Sequence, residues 1–494
     1  MPAATAEPSA TEEIPRARRR LILAICCMSL LIVGLDNTIV NVALPSIGRE
    51  LHTTVSGLQW TVDAYTLVLA SLLMLSGSMA DRLGRRRVFQ AGLMLFTGAS
   101  LLCSIAPSLG WLIAFRMLQA VGGSMLNPVA MSIIRNVFTD ARERAQAIGM
   151  WGATVGLSLA LGPVVGGALV QSSGWRSIFW INVPVGIAAL VLTIRFVPES
   201  RAPRPRRLDP LGQVLVIVLL ASLTYAIIEA PGVGWLSTQT LALALLAAAA
   251  LWWLVRYERR RPEPLIEPRF FRSVPFSGAS AIAVLSFSAL GAFLFLNTLY
   301  LQEVRGLSAL EAGLYTLPIA AMTLIFAPLS GRIVGRRGPR IGLVVGGLGI
   351  MLGGALMTGL SSTTALDSLL PAYFVFGVGF GMVNPPITNT AVLGMPSAQA
   401  GVAAAVASTS RQVGQTMGVA VVGAIAAAGA GRVGPGFVAA SHAGWWIVAG
   451  CGLLTLALGI ASTTARAEAS ARRAAAELDP PPLPGPAAPI RGAI

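Results

Sequence analysis

Stretches of about twenty mostly apolar residues recur along the whole chain. They fall at about 21–44, 57–76, 88–106, 109–133, 147–170, 178–197, 211–230, 239–256, 275–301, 311–330, 341–360, 369–394, 400–428 and 444–462. A helix crosses a bilayer in about 20 apolar residues, so each stretch predicts one spanning helix, fourteen in all. Polar connectors group them as six, two and six. An Arg/Pro-rich connector at 198–210 precedes the middle pair, and a second at 256–274, beginning RYERRRPEP, follows it. The expected fold is an all-α polytopic membrane protein, with two six-helix bundles plus two extra central helices. The expected domains are a tail at 1–20, a bundle at 21–200, a linker with two helices at 201–273, and a second bundle at 274–462. The Ala/Pro-rich tail at 463–494 reads as disordered.

Composition excludes several classes of function. Charged residues make up 12% of the chain and hydrophobic ones 55%, against about 25% charged in a soluble domain, so a soluble enzyme is ruled out. All 36 basic residues are arginine. A phosphate-cradling P-loop and Schiff-base chemistry both need a lysine. Two histidines and four cysteines, the latter all inside apolar stretches, offer no metal or haem cluster, and no cofactor is expected.

The net charge of +15 would point to nucleic acid in a soluble chain. Here the arginines cluster between apolar runs, which makes them topological signals. With the N-terminus inside, the outer loops carry four arginines (Arg49, Arg176, Arg305, Arg432) and the inner side thirty. That positive-inside bias places both termini in the cytoplasm. No nucleic-acid partner follows. Arg16 and Arg18 to Arg20 before an apolar run mimic a signal peptide, but the run is too long for one and reads as a retained first helix.

The two six-helix blocks repeat each other. GSMADRLGRRR at 77–87 aligns with GRIVGRRGPRI at 331–341, so Gly77, Arg82, Gly84 and Arg86 recur as Gly331, Arg336, Gly338 and Arg340. Asn127-Pro128 matches Asn384-Pro385, and GPVVG at 162–166 parallels GQTMG at 414–418. Three matches in order at nearly one offset indicate duplicated halves, a layout common in secondary transporters.

At these residues the chain resembles a known family. LDNTIVNVALP (35–45), GSMADRLGRRR, FRMLQAVGG (115–123), LGPVVGG (161–167), WRSIFWINVPVG (175–186) and SRQVGQTMGVA (410–420) are similar to motifs of the major facilitator superfamily, in its fourteen-helix drug:proton antiporter branch. The resemblance implies the major facilitator fold and efflux of small lipophilic or cationic compounds in exchange for protons. It implies a multi-pass protein of a bacterial cytoplasmic membrane. The expected partners are a small-molecule substrate, protons and the lipid bilayer, with a monomeric chain. Proton-coupled uptake of a nutrient is the competing transport reading.

Three ionisable residues lie at similar depth. Asp36 is about eight residues inside its segment, or about 12 Å from the outer end at 1.5 Å per residue; Asp63 and Arg116 are six and seven residues in. Such groups are expensive in hydrocarbon unless they face a cavity or one another, and the site can be tuned to exchange protons. A structural ion pair is the competing reading for Asp36 and Arg116. For Asp63 it is a helix cap or a wetted rim residue. The resemblance links the helix-1 acid and the helix-4 arginine to proton coupling.

Arg411 lies roughly 16 Å from the inner face, with Gln412, Gln415, Asn384 or backbone carbonyls available to satisfy it. Asn41, Asn384 and Arg411 are candidate polar cavity residues. The loop holding Gly77, Asp81, Arg82, Gly84 and Arg86 is expected to gate the cytoplasmic side; Gly335 stands where the second loop would carry the acid. Gly156, Gly162, Gly166 and Gly167 give the fifth segment a small-residue face for close packing, with Pro163 to bend it. The resemblance makes Gly162, Pro163, Gly166 and Gly167 an antiporter motif.

Overall fold

The computed structural model describes residues 15–202, 208–396, 399–430 and 436–478. Within these, every regular element is helical: α1 (Arg16–Glu50), α2 (Val55–Leu83), α3 (Arg85–Ser104), α4 (Leu109–Val137), α5 (Ala141–Ser173), α6 (Ser177–Phe196), α7 (Pro210–Val233), α8 (Thr238–Glu258), α9 (Val274–Val304), α10 (Ala309–Arg337), α11 (Arg340–Leu356), α12 (Leu370–Val392), α13 (Ala400–Ala430), α14 (Phe437–Ala461) and α15 (Ala465–Leu478). Among the described residues, twelve helices are long and apolar enough to cross a membrane. The apolar stretches at 341–360 and 400–428 form α11, which is shorter, and α13. Arg432, and the parts of the expected tails and connector at 1–14, 203–207 and 479–494, lie outside the described residues.

Helix ends follow local chemistry. Thr54 caps α2 by accepting from the Gly57 N–H, and Ser237 caps α8 through the Thr240 N–H. Gly84 closes α2 at φ +112° and Gly338 closes α10 at φ +79°, a conformation that glycine adopts without steric cost. These two glycines are partners in the sequence repeat. The Asn-Pro pair is used differently in the two halves. α4 is interrupted at Met125–Leu126, just before Asn127, whereas α12 runs through Pro385 and Pro386.

The repeat extends to packing. In the first half α1 packs on α5, α2 on α4, and α3 on α4 and α6; in the second, α9 packs on α13, α10 on α12, and α11 on α12 and α14. The halves meet chiefly along two seams, α2 against α13 and α5 against α10, with a smaller contact of α1 on α9. The central hairpin α7–α8 lies outside the first seam, where α7 packs on both α2 and α13. Gln213 donates to the Ser71 carbonyl at 2.6 Å, and the Trp60 indole donates to Glu229 at 2.8 Å.

The end of the bundle where Arg16 lies is termed proximal and the opposite end distal. Among the described residues, side-chain bonds between the halves lie at mid-depth or distally. Arg49 pairs with Glu303 at 2.7 Å, Gln302 donates to the Val42 carbonyl at 2.9 Å, and Gln59 donates to the Ala420 carbonyl at 2.8 Å.

Two expectations change. Helices overrun the apolar stretches, so Arg49 and Glu50 form the last turn of α1 rather than a loop. Of the tail expected to be disordered from 463, Ala465–Leu478 instead forms α15. Its Ala467, Ser470, Ala471, Ala474 and Leu478 are buried, Ser470 accepts from the Val274 N–H at 2.9 Å, and Glu477 pairs with Arg272 at 2.6 Å. Alanine has the highest helix propensity, and its small side chain lets α15 pack closely against Gly394.

Candidate functional site

Asp36 lies in the middle of α1, fourteen residues from Glu50, or about 21 Å along the helix. Arg116 and Gln119 stand one turn apart on α4 and therefore on one face. Asn182 opens the main part of α6, and Ser100 comes from α3. These elements converge on one fully buried cluster. Arg116 Nη1 donates to Asp36 Oδ2, and the same nitrogen donates to Gln119 Oε1 at 2.7 Å. Asp36 Oδ1 accepts from Gln119 Nε2 at 2.9 Å and from Asn182 Nδ2 at 3.0 Å. Gln119 Nε2 also donates to Ser100 Oγ at 2.7 Å. Arg116 Nε donates to the Thr61 carbonyl at 3.3 Å, and its guanidinium sits 4.1 Å over the Tyr65 ring. Asp36 is 0% exposed and Arg116 1%, so the pair depends on its geometry and surrounding hydrogen bonds to offset desolvation.

Asp63 is not part of this cluster. Thr61 and Tyr65 meet Arg116, which turns the Asp63 position away from it. On the other face of α2, Gln59 bonds the Val419 and Ala420 carbonyls, and Thr66 Oγ1 accepts from Thr416 Oγ1 at 2.7 Å. Asp63 falls one turn from each, on the seam facing α13. It is 0% exposed, and among the described residues neither carboxylate oxygen has a hydrogen-bond partner. It is therefore neither a cap, since Thr54 holds that place, nor a wetted rim residue.

The remaining polar candidates are dispersed. Asn41 is buried and donates to the Asn37 carbonyl at 3.0 Å, leaving its own Oδ1 unpartnered. Asn384 is half-buried. Arg411 reaches Thr388, not Gln412, Gln415 or Asn384, and its Nε has no partner.

The glycines of the fifth segment pack as closely as expected. A Cβ on Gly162 would lie 1.9 Å from Thr38 Oγ1, and one on Gly166 would lie 2.5 Å from the Ile39 side chain, both on α1. Gly167 instead faces the other half, where a Cβ would stand 2.5 Å from the Ala309 carbonyl oxygen of α10. Pro163 lies inside the helix, and a Cβ on Gly313 would stand 2.2 Å from its carbonyl oxygen.

The 77–87 stretch is not a loop: Gly77, Asp81 and Arg82 lie in α2 and Arg86 in α3, with Gly84 between, and the stretch is bound within its own half. Asp81 pairs with Arg85 at 3.0 Å, the Arg86 N–H donates to Glu199 at 3.1 Å, and the Arg85 N–H donates to the Ser200 carbonyl at 2.9 Å. Arg82 is exposed. Gly84 is required by its φ and by Glu199 against it. Gly77 sits inside α2, where a Cβ would meet only Pro128, at an ordinary 3.9 Å.

Sequence reasoning missed Gln119, Asn182, Ser100 and Tyr65. Uncharged polar residues in a span carry no charge signal. The detectable clue was Gln119, one turn after Arg116.

Two matching helical halves, the first holding a buried ionic cluster, make up the architecture of a secondary transporter. A family model described as Major Facilitator Superfamily matches residues 26–419. The multidrug resistance protein Stp of Mycobacterium tuberculosis (strain CDC 1551 / Oshkosh) is 38% identical over 401 residues, covering 81% of this chain and 74% of that protein. The tetracenomycin C resistance and export protein of Streptomyces glaucescens is 37% identical over 439 residues, covering 87% of this chain and 80% of that one. A solved bacterial homolog of the human lysosomal transporter Spinster, in an inward-facing and occupied conformation, shares the fold with a TM-score of 0.62 at 16% identity, over 93% of this chain and 97% of that chain. The chain belongs to the major facilitator superfamily.

Proposed function

We propose that the protein is a proton-coupled antiporter that exports small lipophilic or cationic compounds across a bacterial cytoplasmic membrane by alternating access. In this reading it has fourteen spans, with α11 and α13 among them, and both termini are cytoplasmic. The proximal end is then the inside, and the structure corresponds to an inward-facing state closed at its distal end. The efflux names of the relatives support the direction of transport.

One observation carries the coupling: Asp63, buried without a partner in the closed seam. A bare carboxylate there would be an unpaired buried charge, which is strongly unfavourable. With a proton it is neutral and the seam can close. Loss of that proton when substrate occupies the space between the halves drives the seam apart distally. Substrate then leaves outward, and the wetted carboxylate takes up a new proton. Asp36, held by Arg116, Gln119 and Asn182, fixes α1, α4 and α6 as one body whose electrostatics follow the state of the seam.

The test is substrate-induced proton release from protein reconstituted in vesicles. Asp63→Asn should abolish release and gradient-driven export while leaving substrate binding from the proximal side. Coupled export by a well-expressed Asp63→Asn protein, with loss in Asp36→Asn, would instead assign the proton to Asp36.

A further inference from the structure

The second half contains three acids between 274 and 462, namely Glu303, Glu311 and Asp367. All stand at the distal end. Arg411 lies on the proximal side of mid-depth in α13, and its side chain leans towards the helix N-terminus, hence towards the proximal opening. Its Nη2 meets the Thr388 hydroxyl of α12, and its Nε is buried with no partner among the described residues. Its guanidinium lies 5.9 Å from the centre of the Phe287 ring of α9, and Phe287 packs edge-on against Phe380 of α12 at 5.1 Å. Arg411 is partly exposed and Thr388 is exposed. A guanidinium at hydrocarbon depth faces water or a partner rather than lipid, so the exposed side opens to the space between the helices.

The contrast with Arg116 defines what is missing. Arg116 has a carboxylate, an amide, a carbonyl and an aromatic face around it. Arg411 has the aromatic face and one hydroxyl, with no carboxylate in ion-pair range among the described residues. We propose that Arg411, Thr388 and the Phe287–Phe380 pair form a substrate subsite for a carboxylate or phenolate attached to a flat aromatic system. The guanidinium takes the anion through its planar donor fork. The ring of Phe287 takes the attached aromatic system. This rests on the efflux reading and extends its substrates from cations and neutral compounds to aromatic anions.

The experiment uses two dyes on one tricyclic scaffold, anionic fluorescein and cationic rhodamine 6G. Binding to the full-length protein in nanodiscs is read by fluorescence anisotropy, and gradient-driven transport is read separately in vesicles. Arg411→Gln should lower the fluorescein-to-rhodamine affinity ratio ~10-fold or more, the usual scale for losing a charge-assisted bond. Arg411→Lys should recover part of it. Equal weakening of both dyes, an unchanged ratio, or a wild type that binds only rhodamine would overturn the subsite. If the dyes bind with the expected ratio but no pH gradient moves any substrate, the efflux reading fails and the subsite stands.

Discussion

The polar and ring contacts of Arg116 lie inside the first half: Asp36 on α1, Thr61 and Tyr65 on α2, Gln119 on α4 and Phe179 on α6. A residue tied this way stabilises one half as a unit whichever way the two halves tilt. Arg116→Ala leaves Asp36 buried without its counter-charge and should cost about 3–5 kcal/mol, read as a fall in unfolding temperature in detergent. The double variant Asp36→Leu with Arg116→Met removes both charges and should regain most of that stability, yet transport should stay abolished. Recovered transport in the double variant would reduce the cluster to scaffolding. At this scale the sequence exposed the charges but not their surroundings. Asp36 and Arg116 stand out in an apolar run, whereas Asn182 and Ser100 become partners only once α3 and α6 close on α1.

Among the elements, α5 shows how small residues let one helix pack closely on both halves. Gly162 and Gly166 face α1 in the same half, while Gly167 faces α10 in the other. Gly167→Ala must push against the Ala309 backbone, which yields less readily than a side chain. The expected effect is a wedge of about 1–3 kcal/mol against distal closure, seen as faster alkylation of a cysteine placed at Leu310. Unchanged labelling would mean that α10 yields without opening the seam. Helix positions were legible because apolar length alone identifies a span. α15 was not, since its buried face is alanine and serine, which looks like polar low-complexity sequence until α9 and Gly394 supply the surface it covers.

For the whole molecule, sidedness is the first property to establish. Single cysteines at Gly306 and Ser361 should react with an impermeant reagent from outside, and one at Gly335 only from inside. The reverse pattern would invert the map. In the same assay Asp63→Asn should protect a distal-seam cysteine at Ala420, one turn from Thr416 on the face towards α2, because a permanently neutral side chain favours the closed seam; greater reactivity would reverse the proposed sign of coupling. The duplicated halves were legible from motifs at a common offset, and the matching helix neighbours follow from them. The hairpin's position was not legible, because α7 and α8 have no counterpart in the repeat. Their placement breaks the pseudo-symmetry. Of the two seams, α2–α13 has α7 packed along it, fastened through Gln213 and Trp60, while the hairpin does not cover α5–α10. The transporter therefore has a back and a front within the plane of the bilayer, and a compound dissolved in the lipid meets an unobstructed seam only at the front.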